Sequence, residues 1–295
     1  MTGFLIQLGA PLQSWGEHSA FTDRDTVAHP TRSGLIGMLA SALGIPRAEA
    51  TVDATAITDA GDDTSAPSFA RLTRLRFTVR TDRPGTRLRD FHTVGGGYPQ
   101  HRTVPTAKGG RRSGDTATIV SRRHYLSDAV FTVAVTAPGQ DDALLAACAE
   151  ALAAPHWPLH LGRRSCPPGA LLLLRADVPD PVSELDRVPL ARPKPRTVAE
   201  AEADGGEPAA TVTVRFSADS PFAPDTGTAP SGRASVTMLN DEPIRLTARD
   251  RVHHARPAYT TSRRLPAALC GGYGIDYLDA LGTYLDPLRP GGNAS

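Results

Sequence analysis

Apolar positions along the chain gather into short runs whose spacing switches between two periods. Phe4 to Leu8 is apolar except at Gln7 and gives way to Gly9-Ala10-Pro11, which predicts a buried strand. Ser33 to Leu43 repeats its apolar positions at helical spacing, with Leu35, Ile36, Leu39, Ala42 and Leu43 on one face and Gly44 as the stop. Residues 45–70, rich in Ala, Asp and Thr, predict a loosely ordered connection holding one short helix. Leu75 to Arg80 then alternates with period two: Leu75, Phe77 and Val79 point inward, and Arg76, Thr78 and Arg80 form a cationic outer face. Asp128 to Val135 is a second clear strand. Asp141 to Ala153 is a helix with Ala143, Leu144, Ala147, Cys148 and Leu152 available for its apolar face, and Leu171 to Leu174 reads as a further buried strand.

The resulting order is β-α-β-(long insertion)-β-α-β. It predicts an α+β, ferredoxin-like (RRM-like) βαββαβ domain, with two helices covering one side of a four-stranded antiparallel sheet. The other side is expected to be free, a flat surface on which unstacked bases and phosphates can lie. Residues 81–127 are too long for an ordinary hairpin connection, hold Gly95-Gly96-Gly97 and Gly109-Gly110, and predict an extended, mobile arm. Thr211 to Phe216 and Ser235 to Leu239 alternate as short strands. The expected organisation is therefore a first domain over 1–178, an acidic Pro/Ala-rich linker over 179–210, a small β subdomain over 211–265, and a tail over 266–295. Within the tail, Tyr273 to Leu285 can form a short helix with Leu278, Leu281 and Leu285 on one face.

Composition narrows the function classes. The 295 residues carry 40% hydrophobic residues, enough for a real core and against general disorder. No apolar run reaches membrane-spanning length and the first strand begins at once after Met1-Thr2-Gly3, so a cytoplasmic protein with no membrane partner is expected. Cys148, Cys166 and Cys270 are odd in number and widely spaced, which predicts reduced, buried thiols rather than a disulfide framework or a zinc ribbon. The net charge is only +1, yet the distribution is uneven. Between Arg71 and Tyr125, thirteen Arg or Lys residues stand against Asp82, Asp90 and Asp115. Only Lys108 and Lys194 are lysines, so the preference for Arg is uninformative while its clustering is not.

The segment Pro30-Thr31-Arg32-Ser33-Gly34-Leu35-Ile36-Gly37 opens a helix after a strand and a shaped loop, Gly9-Ala10-Pro11-Leu12-Gln13-Ser14-Trp15-Gly16. Such an arrangement aims backbone N–H groups and an Arg at an anion, although it also fits a plain helix start. With Leu88-Arg89-Asp90-Phe91-His92-Thr93-Val94, Tyr125 to Val133 and Leu161-Gly162-Arg163-Arg164-Ser165-Cys166-Pro167, these blocks occur in an order that resembles the CasD family, the crRNA 5′-handle-binding RAMP subunits of type I-E CRISPR Cascade complexes. Asp241-Glu242-Pro243-Ile244 and the basic stretch Arg249 to Arg264 extend the likeness to about residue 265.

The resemblance implies an RNA-binding, non-catalytic subunit that caps the 5′ handle of crRNA, projects a thumb over about 81–127, and contacts the large CasA subunit and the CasC backbone subunit. Target DNA would be met through the complex. It places the handle-binding surface at Gln13 to Gly16 and at Thr31, Arg32, Ser33 and Gly34, with Arg163 and Arg164 close by. Chemically, Arg32, Arg163 and Arg164 suit bidentate phosphate bonds, and Ser33 with the following N–H groups suits a phosphate at a helix N-terminus. Gln13 can read a splayed base. Trp15 can stack on one or anchor its own loop in the core. Lys108, Arg111, Arg112, Arg122 and Arg123 would supply sequence-independent charge from the arm.

Two other classes fit some of the same residues. Metal-independent cleavage of CRISPR repeat RNA needs a base near a 2′-hydroxyl and an acid for the leaving oxygen, and His92, His101, His124, Tyr98, Tyr125 and Lys108 all lie in the arm. Processing members of related CRISPR systems pair a Tyr with a vicinal Lys-His, whereas here Lys108 precedes Gly109. A pure assembly module would turn the basic arm toward an acidic protein. No cofactor is expected: Gly109 to Gly114 lacks phosphate-loop spacing, and His253-His254 has no carboxylate or Cys at ligand spacing for a metal.

Overall fold

The computed structural model describes residues 2–17, 22–52, 66–96, 99–106, 108–114, 117–139, 141–169, 171–195, 211–222, 234–247 and 250–286. In chain order the strands and helices are β1 (Gly3–Gly9), β2 (Leu12–Gln13), β3 (Asp23–Arg24), α1 (Arg32–Ala42), α2 (Phe69–Leu72), β4 (Arg76–Arg83), β5 (Thr86–Val94) and β6 (Ile119–Ser127). They continue with β7 (Val130–Thr136), α3 (Asp142–Ala153), β8 (Leu173–Val178), α4 (Pro181–Glu184), β9 (Thr211–Ala218), β10 (Ser235–Leu246), β11 (Arg251–Pro266) and α5 (Gly274–Leu285).

The main sheet has seven strands in the order β10-β11-β9-β4-β7-β1-β8, with antiparallel neighbours throughout. The strands expected from the first half of the sequence supply its β4-β7-β1-β8 portion, in the chain order β1, α1, β4, β7, α3, β8. Boundaries shift for local reasons. Asp128, expected inside a strand, has φ of 58° and forms the turn that separates β6 from β7. Asp141 caps α3 through its carboxylate, which accepts from the Leu144 N–H at 3.1 Å.

Alternation along the strands divides the interior in two. Phe4, Ile6 and Leu8 of β1, with Phe77, Val79, Phe131, Val133 and Val135, pack under α1 and α3. Leu5, Val130 and Ala134 point the opposite way, together with Val214 and Phe216 of β9, and Leu185, Val188, Leu190, Tyr277 and Leu281 cover that face. The expected free face of the sheet is therefore closed. Its cover comes from α4 and the following residues, within the segment read as an acidic linker, and from α5, within the segment read as a tail. Residues 196–210 and 287–295 lie outside the described residues.

Closing that face inverts the expectation for β4. Arg80 is fully buried, and so is Asp82, two residues on and on the same side of the strand. Arg80 Nε donates to Asp82 Oδ1 at 2.6 Å, and its Nη groups reach the carbonyls of Leu185, Val188 (2.7 Å) and Pro189 (3.0 Å). Thr132 Oγ1 donates to Asp82 Oδ2 at 2.8 Å. Every strong polar group of this buried pair is matched, which is the condition for keeping charge in an interior.

The long insertion also differs from expectation. β5 and β6 form a regular antiparallel hairpin from Thr86↔Ser127 to Val94↔Ile119, and β6 is the hub of a second sheet that pairs with β2 and, in parallel, with β3. The described residues beyond the hairpin include a tight turn: Thr106 N–H donates to Gly110 O at 2.8 Å, and Pro105 bridges Arg111. Strands β9 to β11, the expected small β unit, join the main sheet edge to edge through β9 and β4.

Candidate nucleic-acid interface

The sequence blocks that suggested an RNA surface converge, but several of their side chains turn inward. Gln13 is fully buried; its amide nitrogen donates to Leu8 O (2.9 Å) and Ala129 O (2.7 Å), and its Oε1 accepts from Trp15 Nε1 at 3.0 Å. Trp15 is 1% exposed and packs in the core, so it anchors the loop and has no face for a base. Gly34 is needed beneath it, because a Cβ there would sit 2.9 Å from the Trp15 ring. Gln13 and Trp15 are thus structural, and the expectations of base reading and stacking do not hold for them.

The helix entrance does hold an anion, and the protein supplies it. The backbone N–H of Arg32, at the start of α1, donates to Asp241 Oδ2 of β10 at 2.7 Å. The Arg32 guanidinium is 2% exposed. It donates to Glu242 Oε2 at 2.6 Å and Leu75 O at 2.8 Å, and also bonds Asp219 and Thr73 O. Arg256 completes the cluster, binding both oxygens of Asp241 (2.7 and 3.0 Å) and Asp219 Oδ1 (2.9 Å). Burial pushes the Glu242 carboxyl up, against the opposing pull of Arg32. Thr31 is buried, and Ser33 and Gly34 are half-buried beside this network. An external phosphate has no place here; Arg32 pins the β10–β11 ribbon to α1.

Arg163 is likewise a strut. Its Nη1 donates to His124 O at 2.9 Å and its Nη2 to Arg24 O at 2.8 Å, with the guanidinium 4.8 Å above the Tyr125 ring centre. Gly162 lets the 161–166 loop approach the Gln13–Gly16 loop: its φ is +89°, and a Cβ would lie 1.7 Å from Ser14 O. The neighbouring Arg164 is exposed.

What remains outward is the hairpin. In the β5–β6 register Arg87, Arg89, Phe91 and Thr93 share one face with Leu126, His124, Arg122 and Val120. Arg87, Arg89 and Arg122 are exposed, and among the described residues no carboxylate pairs with them. Phe91 is 69% exposed in their midst. A row of cations around an aromatic ring offers charge to phosphates and a stacking face to bases. Arg87, Arg89 and Phe91 were absent from the expected site, although Arg-x-Arg-x-Phe is a period-two signal that puts all three on one side of a strand. Of the residues expected from the arm, Arg122 lies on this face. Arg123 points to the opposite face and donates to Ser121 Oγ at 3.3 Å. Lys108 is exposed on the 106–110 turn, with Arg111 bonded to Thr103 O (2.6 Å) and Arg112 half-buried on its return.

The three cysteines are free and buried, and burial pushes the Cys148 thiol up to about 12. No helix among the described residues is long and apolar enough to cross a membrane.

The family described as CRISPR-associated protein (Cas_Cas5) matches residues 3–241. The chain belongs to this CasD/Cas5 family. Among curated relatives, CRISPR system Cascade subunit CasD of Escherichia coli (strain K12) is 34% identical over 171 residues, which cover 55% of this chain and 66% of the relative, just under two thirds of its length. Among solved structures, a chain of a CRISPR RNA-guided surveillance complex superposes with a TM-score of 0.74 at 44% identity, covering 96% of this chain and 99% of that one. A crystal structure of a Cas protein matches in fold, with a TM-score of 0.51 at 24% identity, over 93% and 99% of the two chains.

Proposed function

We propose that this Cas5-family chain is a non-catalytic RNA-binding subunit of a type I-E Cascade surveillance complex. It caps the 5′ handle of crRNA and joins the large CasA and backbone CasC subunits in antiviral DNA interference. The single observation carrying the RNA reading is the β5–β6 face, where Arg87, Arg89 and Arg122 surround an exposed Phe91. The β4-β7-β1-β8 portion with its two helices supports reading the body as a ferredoxin-like RAMP core, and the hairpin as its thumb. Relatives that are Cascade or surveillance-complex subunits support the assembly role.

Geometry supports the non-catalytic reading over repeat cleavage. His92 and His124 fall on opposite faces of the hairpin, so they do not converge on one phosphodiester. His124 Nε2 lies 3.2 Å from Asp23, and His92 Nδ1 lies 3.4 Å from Asp90. The test is incubation of the protein with its CRISPR repeat RNA and a scrambled control in EDTA, read on native and denaturing gels. Selective retention of uncut repeat RNA is expected. A discrete cleavage product lost on His92→Ala or His124→Ala would make the chain a ribonuclease instead, and no preference between the two RNAs would favour a protein-only adaptor.

A further inference from the structure

Helix α5 carries more apolar surface than the core beneath it covers. Tyr277 and Leu281 are buried against the sheet, whereas Ile275 is 75% and Leu278 50% exposed, and Leu285 is exposed as well. Positions 275, 278, 282 and 285 follow one another by three, four and three residues, so Ile275, Leu278, Gly282 and Leu285 form one stripe along the outer side of the helix. The adjoining stripe, at the same spacing, is Asp276, Asp279, Thr283 and Asp286 at the helix end. The outward surface is thus part apolar and part acidic.

The helix itself does not account for these carboxylates. α5 contains no Lys or Arg that could pair with them one turn away, and among the described residues no cation forms an ion pair with Asp276, Asp279 or Asp286. Asp276, in the first turn, suits the helix dipole, but Asp286 at the C-terminal end opposes it. At its N-terminal end the stripe meets a cleft. Tyr273 and Gly274 line a space of about 440 Å³ together with Pro11, Arg83, Asp128 and Val130. The Arg83 guanidinium lies 4.8 Å from the Tyr273 ring centre and donates to Asp128 Oδ1 at 2.7 Å, in the turn that joins β6 to β7. The outer side of α5 therefore starts at the root of the β5–β6 hairpin.

We propose that the outward face of α5 is a docking surface for a neighbouring protein subunit that presents apolar side chains flanked by Lys or Arg. An apolar stripe along a helix is buried by a matching apolar groove, and the unpaired carboxylates beside it set the sign of the partner's charge. The cleft at Tyr273 gives one partner side chain a place to anchor. The same carboxylates repel phosphate, so this surface does not extend the nucleic-acid interface. The inference rests on the assembly reading and deepens it, by assigning one of the protein contacts to α5.

The test is assembly of the full-length chain with crRNA and the other Cascade subunits of its host, read by size-exclusion chromatography and native mass spectrometry. Four proteins are compared: wild type, I275Q/L278Q, D279K/D286K, and a charge-matched control at exposed positions elsewhere, E49K/E150K. Losing two anchors should weaken incorporation of one neighbouring subunit by roughly tenfold or more in I275Q/L278Q. D279K/D286K should lose incorporation at low salt and differ less from wild type at high salt, because salt screens the contact. The control should assemble as wild type does, and all four should retain repeat RNA equally on native gels. Wild-type assembly by both α5 variants overturns the docking surface and leaves the assembly reading standing. Failure of the wild-type chain to enter any complex overturns both. Concentration-dependent self-association of the isolated chain that I275Q/L278Q abolishes would give the face to a second copy. A chain ending at Asp286 that melts lower than the full-length protein, with I275Q/L278Q removing the difference, would give it to residues 287–295. Either result overturns the partner assignment.

Discussion

Arg32 shows how a residue's chemistry can be legible and its role inverted. Its position before a helix correctly signals an anion at the N-terminus, but the anion is Asp241, 209 residues away in sequence. Removing the side chain leaves Asp219 and Glu242 buried beside one fewer cation. Arg32→Ala is therefore expected to cost about 3–5 kcal/mol of stability, read by urea unfolding, while the folded fraction keeps its RNA affinity. A stable variant that has lost RNA binding would return Arg32 to the interface. Arg80 carries the same lesson. Alternation sends it to solvent, yet Asp82 at i+2 on the same side is a local sign of a buried pair, and Arg163 is spent on backbone carbonyls in a way only distant loops decide.

At the scale of elements, the strands and helices with one buried face were readable because burial imposes a period. β1, α1, β4, β7 and α3 all fall within a few residues of where the pattern puts them. The β5–β6 hairpin escaped because most of β5 is exposed on both faces, with Leu88, Phe91 and Val94 all outward, so no alternation of apolar and polar residues marks it. Its function is expected to lie in the strands more than in the turn. Replacing residues 95–118 with a two-residue turn keeps the whole Thr86↔Ser127 to Val94↔Ile119 ladder and should change the melting temperature little. R87Q/R89Q/R122Q should weaken repeat-RNA binding more than that replacement does, measured by anisotropy at fixed salt. The reverse order would move the interface to Lys108 and its turn.

For the whole molecule, the decisive fact is that the sheet is covered on both sides. α5 seals the second side with Tyr277 and Leu281, while Ile275 and Leu278 of the same helix stay exposed. Leu281→Ala should destabilise the entire chain by about 2–5 kcal/mol in one cooperative transition, whereas Ile275→Ala should change stability by about 0.5 kcal/mol or less. Separate transitions for the N-terminal and C-terminal portions would show two folding units instead. The sequence by itself determined the alternating and helical elements, their order, the family, and the concentration of arginine in one stretch, because these are local in the chain or carried by contiguous motifs. Tertiary structure alone decided which arginines face solvent. A guanidinium's role depends on whether a carboxylate or carbonyl from a remote segment reaches it, and such pairings as Arg32 with Asp219, Arg80 with Val188 and Arg163 with Arg24 leave no period in the sequence.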